Sequence, residues 1–415
     1  MALLKNFIIL KRGQWTKFCR DTCVDKLVEW VFSHYDMNCI ERVWIMENHG
    51  ILRDIIPSES QLKAILCHET RDDLSNFDGD GRFAKLEHIG GMITLQHWTG
   101  LPNLRYIHGF GHSAQEVDEM CRAHPRLEFL HLDDSDVEYP FCMKADWVLH
   151  HLKTFVYVCL YPMKEILEPF LKAAPNLEVL HIGLSNDTAV GPNSPSPYDE
   201  PLITDFLKMI SRCGRLTTIT LNQFCLFEGD LFAIFSGCPL LRNLHICGGL
   251  TCPESFDNLC RYLPLAKKLR DFRLQYSPCT QYWDSVSYFS EYLGENPSRA
   301  ILNALLDSKR LERIVLYEEE DDSKFPWKSQ ELQDVLFKFV SSMPDLVCFC
   351  FITASEIEPG TVAKLKQKFD EFIIPIRPAF WCHVANDFPQ ATDPTVPRIH
   401  YDQIVCPINY LVPEF

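Results

Sequence analysis

The sequence lacks an excess of positive charge and lacks any apolar run long enough to cross a membrane. Its 415 residues include 40 Lys and Arg against 56 Asp and Glu, giving a formal net charge of −16. General nucleic-acid binding and adhesion to an anionic membrane both need basic patches, so we predict neither. The longest strongly apolar run, Phe155 to Tyr161, is far shorter than the roughly 20 residues of a membrane-spanning helix.

Signatures of common catalytic, cofactor and metal sites are also lacking. The sequence has no G-x-S-x-G elbow, no P-loop and no H-E-x-x-H motif. The stretch Phe77 to Arg82 resembles a calcium loop but has no Glu at the twelfth position, so it is interpreted as a turn. The pairs Cys19/Cys23 and Cys247/Cys252 have no matching second pair for zinc. We therefore predict a protein that is not an enzyme and needs no cofactor or metal.

A secretory signal is missing as well. The first ten residues have no basic leading segment, and Lys5 interrupts their short apolar run. The 18 Cys make up about 4% of the chain, which is below the level of a disulfide-stabilised scaffold. We expect free, mostly buried thiols and a reducing compartment, the cytoplasm or the nucleus.

What the sequence does contain is one repeated string. Residues 174–185 carry Leu177, Leu180 and Ile182 in the frame L-x-x-L-x-L, with Pro175 two residues before the first Leu. The same frame recurs thirteen times, and several starts lie 25 residues apart, within the range of leucine-rich repeats. The frames begin at Leu4, Ile40, Leu62, Leu86, Leu104, Leu127, Leu152, Leu177, Leu216, Leu241, Leu269, Leu311 and Leu346.

Amphipathic helices are predicted between these strands. The string 113–116 is a capping box followed by Val117, Met120 and Cys121 on one face. Pro201 opens a second helix that closes near Cys213, and Ser329 caps a third. Strand and helix in alternation predict an α/β leucine-rich-repeat solenoid, a horseshoe with parallel strands on its concave face and helices on its convex face.

The C-terminal part departs from this pattern. We predict the solenoid over residues 1–354 and a Pro-rich capping segment over 355–415, with a helix near 362–372. A solenoid needs such a cap to cover its last repeat. The alternative is a disordered tail, against which the aromatic residues of this segment argue.

The residues between the repeat leucines point away from the core, because side chains alternate along a strand. Their mixture of aromatic, Arg and polar types is typical of protein interfaces. The predicted protein-binding residues of the concave face are Trp44, Tyr106, His108, Phe129, His131, Val179, His181, Asn243, His245, Arg273, Arg313 and Tyr317. For His108 and His131 a metal site or a pH switch is the alternative, but no nearby Cys or carboxylate completes a ligand set.

With these repeats, the chain resembles the leucine-rich-repeat region of F-box/leucine-rich-repeat proteins, the substrate receptors of SCF ubiquitin ligases. The irregular repeat length and the P-x-L-x-x-L-x-L starts carry the resemblance over residues 1–355. No F-box is recognisable, because the one local mimic, 162–171, lies at repeat-helix spacing and contains Pro169. Either an N-terminal F-box is missing from this sequence or the chain works without one, and a start inside a repeat at Leu4 favours the first account.

The resemblance implies a monomeric scaffold that holds a protein substrate on its concave face for ubiquitin-dependent degradation. An F-box in the full-length product would add the Skp adaptor and cullin as partners. The alternative is an F-box-independent scaffold or inhibitor that clamps a basic protein, with the run 318–322 as an acidic rim that steers it.

Overall fold

The fold is built from short parallel strands, and in the described part of the chain helices lie between six pairs of successive strands. A computed structural model of the chain describes residues 6–9, 41–45, 61–73, 83–94, 101–110, 114–134, 146–159, 164–184, 209–222, 226, 228–247, 253–276, 297–318, 330–353 and 379–384. The chain divides into two compact units, Met1–Leu177 and Glu178–Phe415.

The described residues of the first unit form seven strands that pair in sequence order. They are β1 (Asn6–Ile9), β2 (Arg42–Ile45), β3 (Ala64–Asp73), β4 (His88–Thr94), β5 (Tyr106–Phe110), β6 (Phe129–Asp134) and β7 (Thr154–Cys159). Each strand pairs in parallel with the one before it. Helices α1 (Ala114–Ala123) and α2 (Lys164–Ala173) belong to the same unit.

The second unit repeats this plan. Its strands are β8 (Val179–Leu184), β9 (Thr218–Asn222), β10 (Asn243–Cys247), β11 (Asp271–Tyr276), β12 (Arg313–Glu318), β13 (Cys348–Thr353) and β14 (Ala379–Val384), again parallel and in order. Its helices are α3 (Glu228–Gly237), α4 (Pro253–Tyr262), a 3-10 turn (Leu263–Leu265), α5 (Pro297–Leu305) and α6 (Gln330–Ser342).

The repeat leucines form the core of each unit. The first frame position is buried in every repeat from Leu62 onward, and so is the second position at Ile89, Leu130, Leu180 and Phe272. Adjacent repeats are also joined where each strand begins. Arg105 donates its backbone N–H to Glu87 at 2.9 Å, and Glu128 donates to Arg105 at 2.9 Å. Each repeat thus buries its apolar side chains and satisfies its backbone against its neighbours.

Polar side chains also form hydrogen bonds between adjacent repeats. Asn103 and Asn176 donate their side-chain amides to the carbonyls of Ala84 and His150 in the preceding repeats, at 2.7 and 2.8 Å. In the first unit the buried carboxylate of Asp118 accepts the indole N–H of Trp147 at 2.8 Å. A buried carboxylate needs such partners because an unpaired one is costly to desolvate.

The structure confirms the α/β leucine-rich-repeat solenoid, with parallel strands at all thirteen predicted frames. The α1 helix buries Val117, Met120 and Cys121 as predicted. Helix α2 lies within the segment 162–171 and the residues after it, so this segment is a repeat helix, as its spacing predicted, and the helix continues through Pro169 to Ala173. Strand β14 was not predicted; it lies within the proposed capping segment and pairs in parallel with β13.

Several sequence predictions lie outside the described residues. These are the capping residues Ser113 and Ser329, the helix start at Pro201, the acidic run after Glu318 and the predicted helix near 362–372. The described cysteines Cys121, Cys213, Cys238, Cys260 and Cys348 are free thiols, and the first three are buried.

Gly237, at the end of α3, gives a test of the packing between neighbouring repeats. A Cβ on Gly237 would overlap the Cβ and Cα of Ser211, whereas a Cβ on Gly214 would have nothing within 4 Å. We predict that Gly237→Ala destabilises the protein by about 1–3 kcal/mol, the usual cost of overpacking. Gly214→Ala is the matched control and should change stability by less than about 1 kcal/mol. Urea unfolding followed by circular dichroism measures both, and equal midpoints for the two variants would contradict this packing.

Candidate functional site

The residues that alternate with the repeat leucines form two rows across the strands of each unit. The first outward row holds the residue before the second frame position, and the second outward row holds the residue after it. The first row runs His88, Tyr106, Phe129 and Thr154 in the first unit, and Val179, Thr218, Asn243, Asp271, Arg313 and Cys348 in the second. The second row includes His108, His131 and Val156, and then His181, Thr220, His245, Arg273 and Val315.

Several of these outward residues are nevertheless buried. His181 has no exposed surface, and His108 and His245 are each 7% exposed. Neighbouring parallel strands lie about 5 Å apart, so bulky side chains of one row cover each other. Pointing away from the leucine core therefore does not guarantee contact with solvent. His181, His108 and His245 shape this face by packing, and a partner would first meet their more exposed neighbours.

An aromatic cluster lies on the first unit at β4, β5 and β6. The rings of His88 and Tyr106 stack with centroids 4.1 Å apart and planes within 4°, and His108 packs against Phe129 at 4.2 Å. The Tyr106 hydroxyl donates to Glu128 at 3.3 Å. The sequence reasoning brought together Tyr106, His108 and Phe129 but missed His88, which occupies the same frame position as Tyr106.

Burial keeps the histidines of this cluster neutral. Desolvation, with a smaller contribution from the charge of Arg42, lowers the pKa of His88 to about 4. Desolvation and the neighbouring His131 and His88 lower the pKa of His108 to about 3. At physiological pH the rings of His88 and His108 on this face of the first unit are therefore both uncharged.

A charged cluster lies on the second unit at β10, β11 and β12. The buried carboxylate of Asp271 accepts two hydrogen bonds from the guanidinium of Arg273, from Nε at 3.0 Å and from Nη2 at 2.9 Å. The Nε of Arg313 lies 3.5 Å from the same carboxylate, and the Nε2 of His245 also lies 3.5 Å away. One side chain of β11 thus connects groups from three successive repeats.

This cluster carries excess positive charge. Burial alone would raise the pKa of Asp271, but His245 and Arg273 outweigh it and hold that pKa well below its usual range. Desolvation lowers the pKa of His245 despite the opposing pull of Asp271. With Asp271 ionised and His245 neutral, the two guanidinium groups leave a surplus of one positive charge. The Arg313 side chain is 55% exposed and presents that charge to solvent.

The polar contacts continue toward β9. Thr220 and His245 share a hydrogen bond between Oγ1 and Nδ1 at 3.4 Å, and Asn243 donates to the Thr218 hydroxyl at 2.9 Å. The order Thr220, His245, Asp271 superficially resembles a hydrolytic triad. Thr220 is only 1% exposed, however, so no substrate carbonyl can reach its hydroxyl, and the Asp271 carboxylate is already bound by Arg273.

The remaining predicted residues are placed as follows. Val179 and His131 are half-buried on their strands, and Trp44 and Tyr317 belong to β2 and β12, with side chains outside the described part of the structure. Asp271 could have been singled out from sequence, because residues two apart on a strand share a face and Asp271 stands two before Arg273. Within the described ranges, no three His, Cys, Asp or Glu residues gather as metal ligands.

Comparisons with known proteins add little beyond the fold. No protein-family model matches the chain, and no curated protein matches it. Among solved structures, an internalin from Listeria monocytogenes is similar over 70% of this chain and 81% of its own, with 9% identity and a TM-score of 0.36. The leucine-rich repeat-containing protein LegL7 from Legionella pneumophila is similar over 80% of this chain and 98% of its own, with 12% identity and a TM-score of 0.33. Neither likeness carries a function to this chain.

One further observation concerns membranes. In the part of the chain that the structure describes, no helix combines the length and the apolar character needed to cross a bilayer.

We predict that Asp271→Asn destabilises the second unit strongly. The change removes the buried carboxylate that pairs with the mostly buried guanidinium of Arg273, and breaking such a pair costs about 3–5 kcal/mol. Asp257→Asn is the control, because Asp257 forms an exposed ion pair with Arg261 at 3.3 Å and should cost less than about 1 kcal/mol. Urea unfolding measures both free energies. Similar losses for the two variants would show that Asp271 does not hold the cluster together.

A second prediction concerns the pH dependence of stability. The pKa of His108 in the folded chain is about 3, below the ordinary histidine value of 6.5. The unfolded chain therefore takes up the proton first, and the stabilising effect of neutral His108 is complete above pH 6.5 and declines as the pH falls toward 3. At pH 5 the loss is about 2 kcal/mol. In the plot of unfolding free energy against pH, His108→Gln should flatten this decline between pH 6.5 and 4. The control His150→Gln, at an exposed position, should leave the decline unchanged. Parallel curves for the two variants would contradict the role of His108.

Proposed function

We propose that the protein is a non-enzymatic protein-binding scaffold whose partner binds the outward rows of the sheet. The observation that carries this proposal is the side-chain arrangement of those rows. They place a stacked aromatic cluster around Tyr106 on one unit and a fixed arginine pair, Arg273 and Arg313, on the other. Tyr and Arg are the residue types that most often dominate binding energy at protein interfaces.

The packing of Tyr106 and Arg313 supports binding in a second way. The Tyr106 ring is held by the stack on His88, and Arg313 lies against the Asp271 carboxylate. Side chains that are already ordered lose little conformational entropy when a partner arrives, so more of the contact energy appears as affinity. A plain solvated face would hold neither side chain in place.

The more specific proposal is substrate recognition for an SCF-type ubiquitin ligase. The scaffold would contribute proximity, because it holds a target near a ligase that performs the chemistry. The repeat pattern, which resembles that of F-box/leucine-rich-repeat proteins, supports this role, and the protein would then act as a monomer in the cytoplasm or nucleus. The Skp adaptor and cullin would join through an F-box in the full-length product.

The alternative is a scaffold or inhibitor that works without an F-box and clamps a basic protein. The net charge of −16 supports it. The described face at β11 and β12 argues against it locally, because Arg273 and Arg313 there outnumber the one carboxylate, Asp271. Binding of a basic partner to an acidic rim would weaken steeply as salt rises from low to physiological concentration, since exposed charges are screened.

Affinity purification of the tagged full-length gene product after proteasome inhibition tests the proposal. We expect one set of captured proteins to be reduced roughly tenfold by Tyr106→Ala or Arg313→Ala, equivalent to about 1.4 kcal/mol of binding energy. Arg261→Ala is the matched control, because Arg261 is similarly exposed but lies on helix α4. Thermal unfolding of each variant excludes loss of the fold as the cause.

The outcomes separate the two levels of the proposal. Recovery of the Skp adaptor and cullin with all four proteins, wild type included, would support the ligase assignment. Their absence would remove that assignment and leave the scaffold. Captured proteins that respond equally to Arg261→Ala and Arg313→Ala would remove the outward rows as the binding face.

A further inference from the structure

A strip of exposed basic side chains lies where the chain enters strands β9 to β12. We call it the basic edge and define it as residues 211–217, 237–242, 266–270 and 306–312. It contains eight Lys and Arg, all exposed, against two carboxylates, in a chain whose overall charge is −16. The eight are Arg212, Arg215, Arg242, Lys267, Lys268, Arg270, Lys309 and Arg310. The next turn ends the strip with the exposed Asp345.

The repeat register aligns part of this strip. Arg215, Lys268 and Arg310 each stand directly before a repeat leucine, and each lies three residues before a member of the first outward row. Those row members are paired across β9 to β12. Arg242 and Arg270 are also neighbours, because the backbone N–H of Arg270 donates to the carbonyl of Arg242 at 2.7 Å. Positive charge therefore recurs from repeat to repeat along one edge.

Most of this charge is not neutralised locally. Arg270 pairs with Glu312 at 3.0 Å, and Lys309 donates to the Ser342 carbonyl at 3.4 Å. The side chains of the other six form no hydrogen bond or ion pair with any residue that the structure describes. Like charges held close together repel each other, so an anionic partner would relieve this repulsion.

A cavity with mainly apolar lining residues opens at the same edge. It has a volume of about 190 Å³ and is lined by Phe235, Ser236, Cys238, Pro239, Leu241, Leu265 and Ala266. Burial raises the pKa of Cys238 to about 12, so its thiol is uncharged. The lysines Lys267 and Lys268 also line the cavity.

The surroundings of the cavity indicate what kind of group fits it. Leu265 is 51% exposed and Leu240 is 37% exposed beside it. Pockets for drug-sized molecules measure roughly 300–1,000 Å³, so this smaller cavity suits one apolar side chain. The basic residues around it suit carboxylates on either side of that group.

We propose that the basic edge is a second protein-interaction surface, which binds an acidic segment of a partner protein. One apolar side chain of that segment enters the cavity, and its carboxylates pair with Lys267, Lys268 and Arg242. This surface is separate from the outward rows of the sheet and does not depend on the function proposed for them. Charge complementarity and the single-side-chain cavity together select an acidic, partly apolar peptide.

Other polyanions fit the edge less well. A nucleic acid or an anionic bilayer extends far beyond the strip, and the overall charge of −16 would repel it. Neither has an isolated apolar side chain to fill a cavity of about 190 Å³. The experiment therefore compares binding of the peptide with binding of these two polyanions.

A random 12-residue peptide library displayed on phage, selected on the full-length protein, tests this inference. We expect the enriched peptides to carry net negative charge and at least one large apolar side chain. Fluorescence anisotropy then measures one synthetic, labelled peptide from this set against protein variants. Lys267→Glu with Lys268→Glu should weaken binding at least twentyfold, and Leu265→Gln about fivefold, since Leu265 is exposed and its change leaves the charge intact.

The control is a double charge reversal in the first unit, Lys85→Glu with Arg126→Glu, at the repeat position that Lys268 occupies in the second. These exposed residues also stand directly before repeat leucines, and the change in net charge is identical. It should leave peptide affinity within twofold of wild type. Circular dichroism confirms that every variant is folded.

Four results would overturn the inference. They are enrichment of no peptide, enrichment of neutral or basic peptides, equal losses for the two double reversals, and stronger binding to phosphatidylserine vesicles or a single-stranded oligonucleotide than to the enriched peptide. A failure here leaves the Tyr106 and Arg313 experiment unaffected, because those residues lie on the outward rows.

Discussion

The structure depends on lateral burial, in which each repeat covers its leucines only with the repeats on either side. No single strand of about six residues and one helix can enclose an apolar core by itself. The frame therefore has to return at every strand, and Leu127, Leu177 and Leu241 are all almost completely buried for that reason. The side chains between the leucines do not have to be buried in the core, and for this reason they can differ from one repeat to the next.

This difference between the buried repeat leucines and the outward side chains explains how much of the fold could be predicted from sequence. Leu, Ile and Phe at fixed spacing are required by the core, and they located thirteen strands. Strand β14 escaped notice because Arg377 stands where the first leucine of its frame would fall. Repeat spacing located helix α2 despite Pro169, because a helix held by its neighbours tolerates a proline that would weaken an isolated one.

The candidate site was less predictable, since it depends on neighbours rather than on a frame. The alternation of a strand places His181 away from the core, but only the side chains of adjacent strands decide that it has no exposed surface. Asp271 is not among the residues predicted from sequence, yet it organises the charge of three repeats. The basic edge consists of exposed residues on either side of the first leucine of each frame, whose side chains the core does not constrain.

The Asp271 carboxylate has a consequence for how the second unit unfolds. In a linear array of repeats, cooperativity comes from the coupling energy between nearest neighbours, and uniform weak coupling lets the ends fray one repeat at a time. Asp271 adds coupling that runs through β10, β11 and β12 together, because His245, Arg273 and Arg313 all converge on it. These three repeats should therefore open as one block, with slower amide exchange than the repeats beyond them. A face built on that block would keep its geometry while the repeats beyond it open.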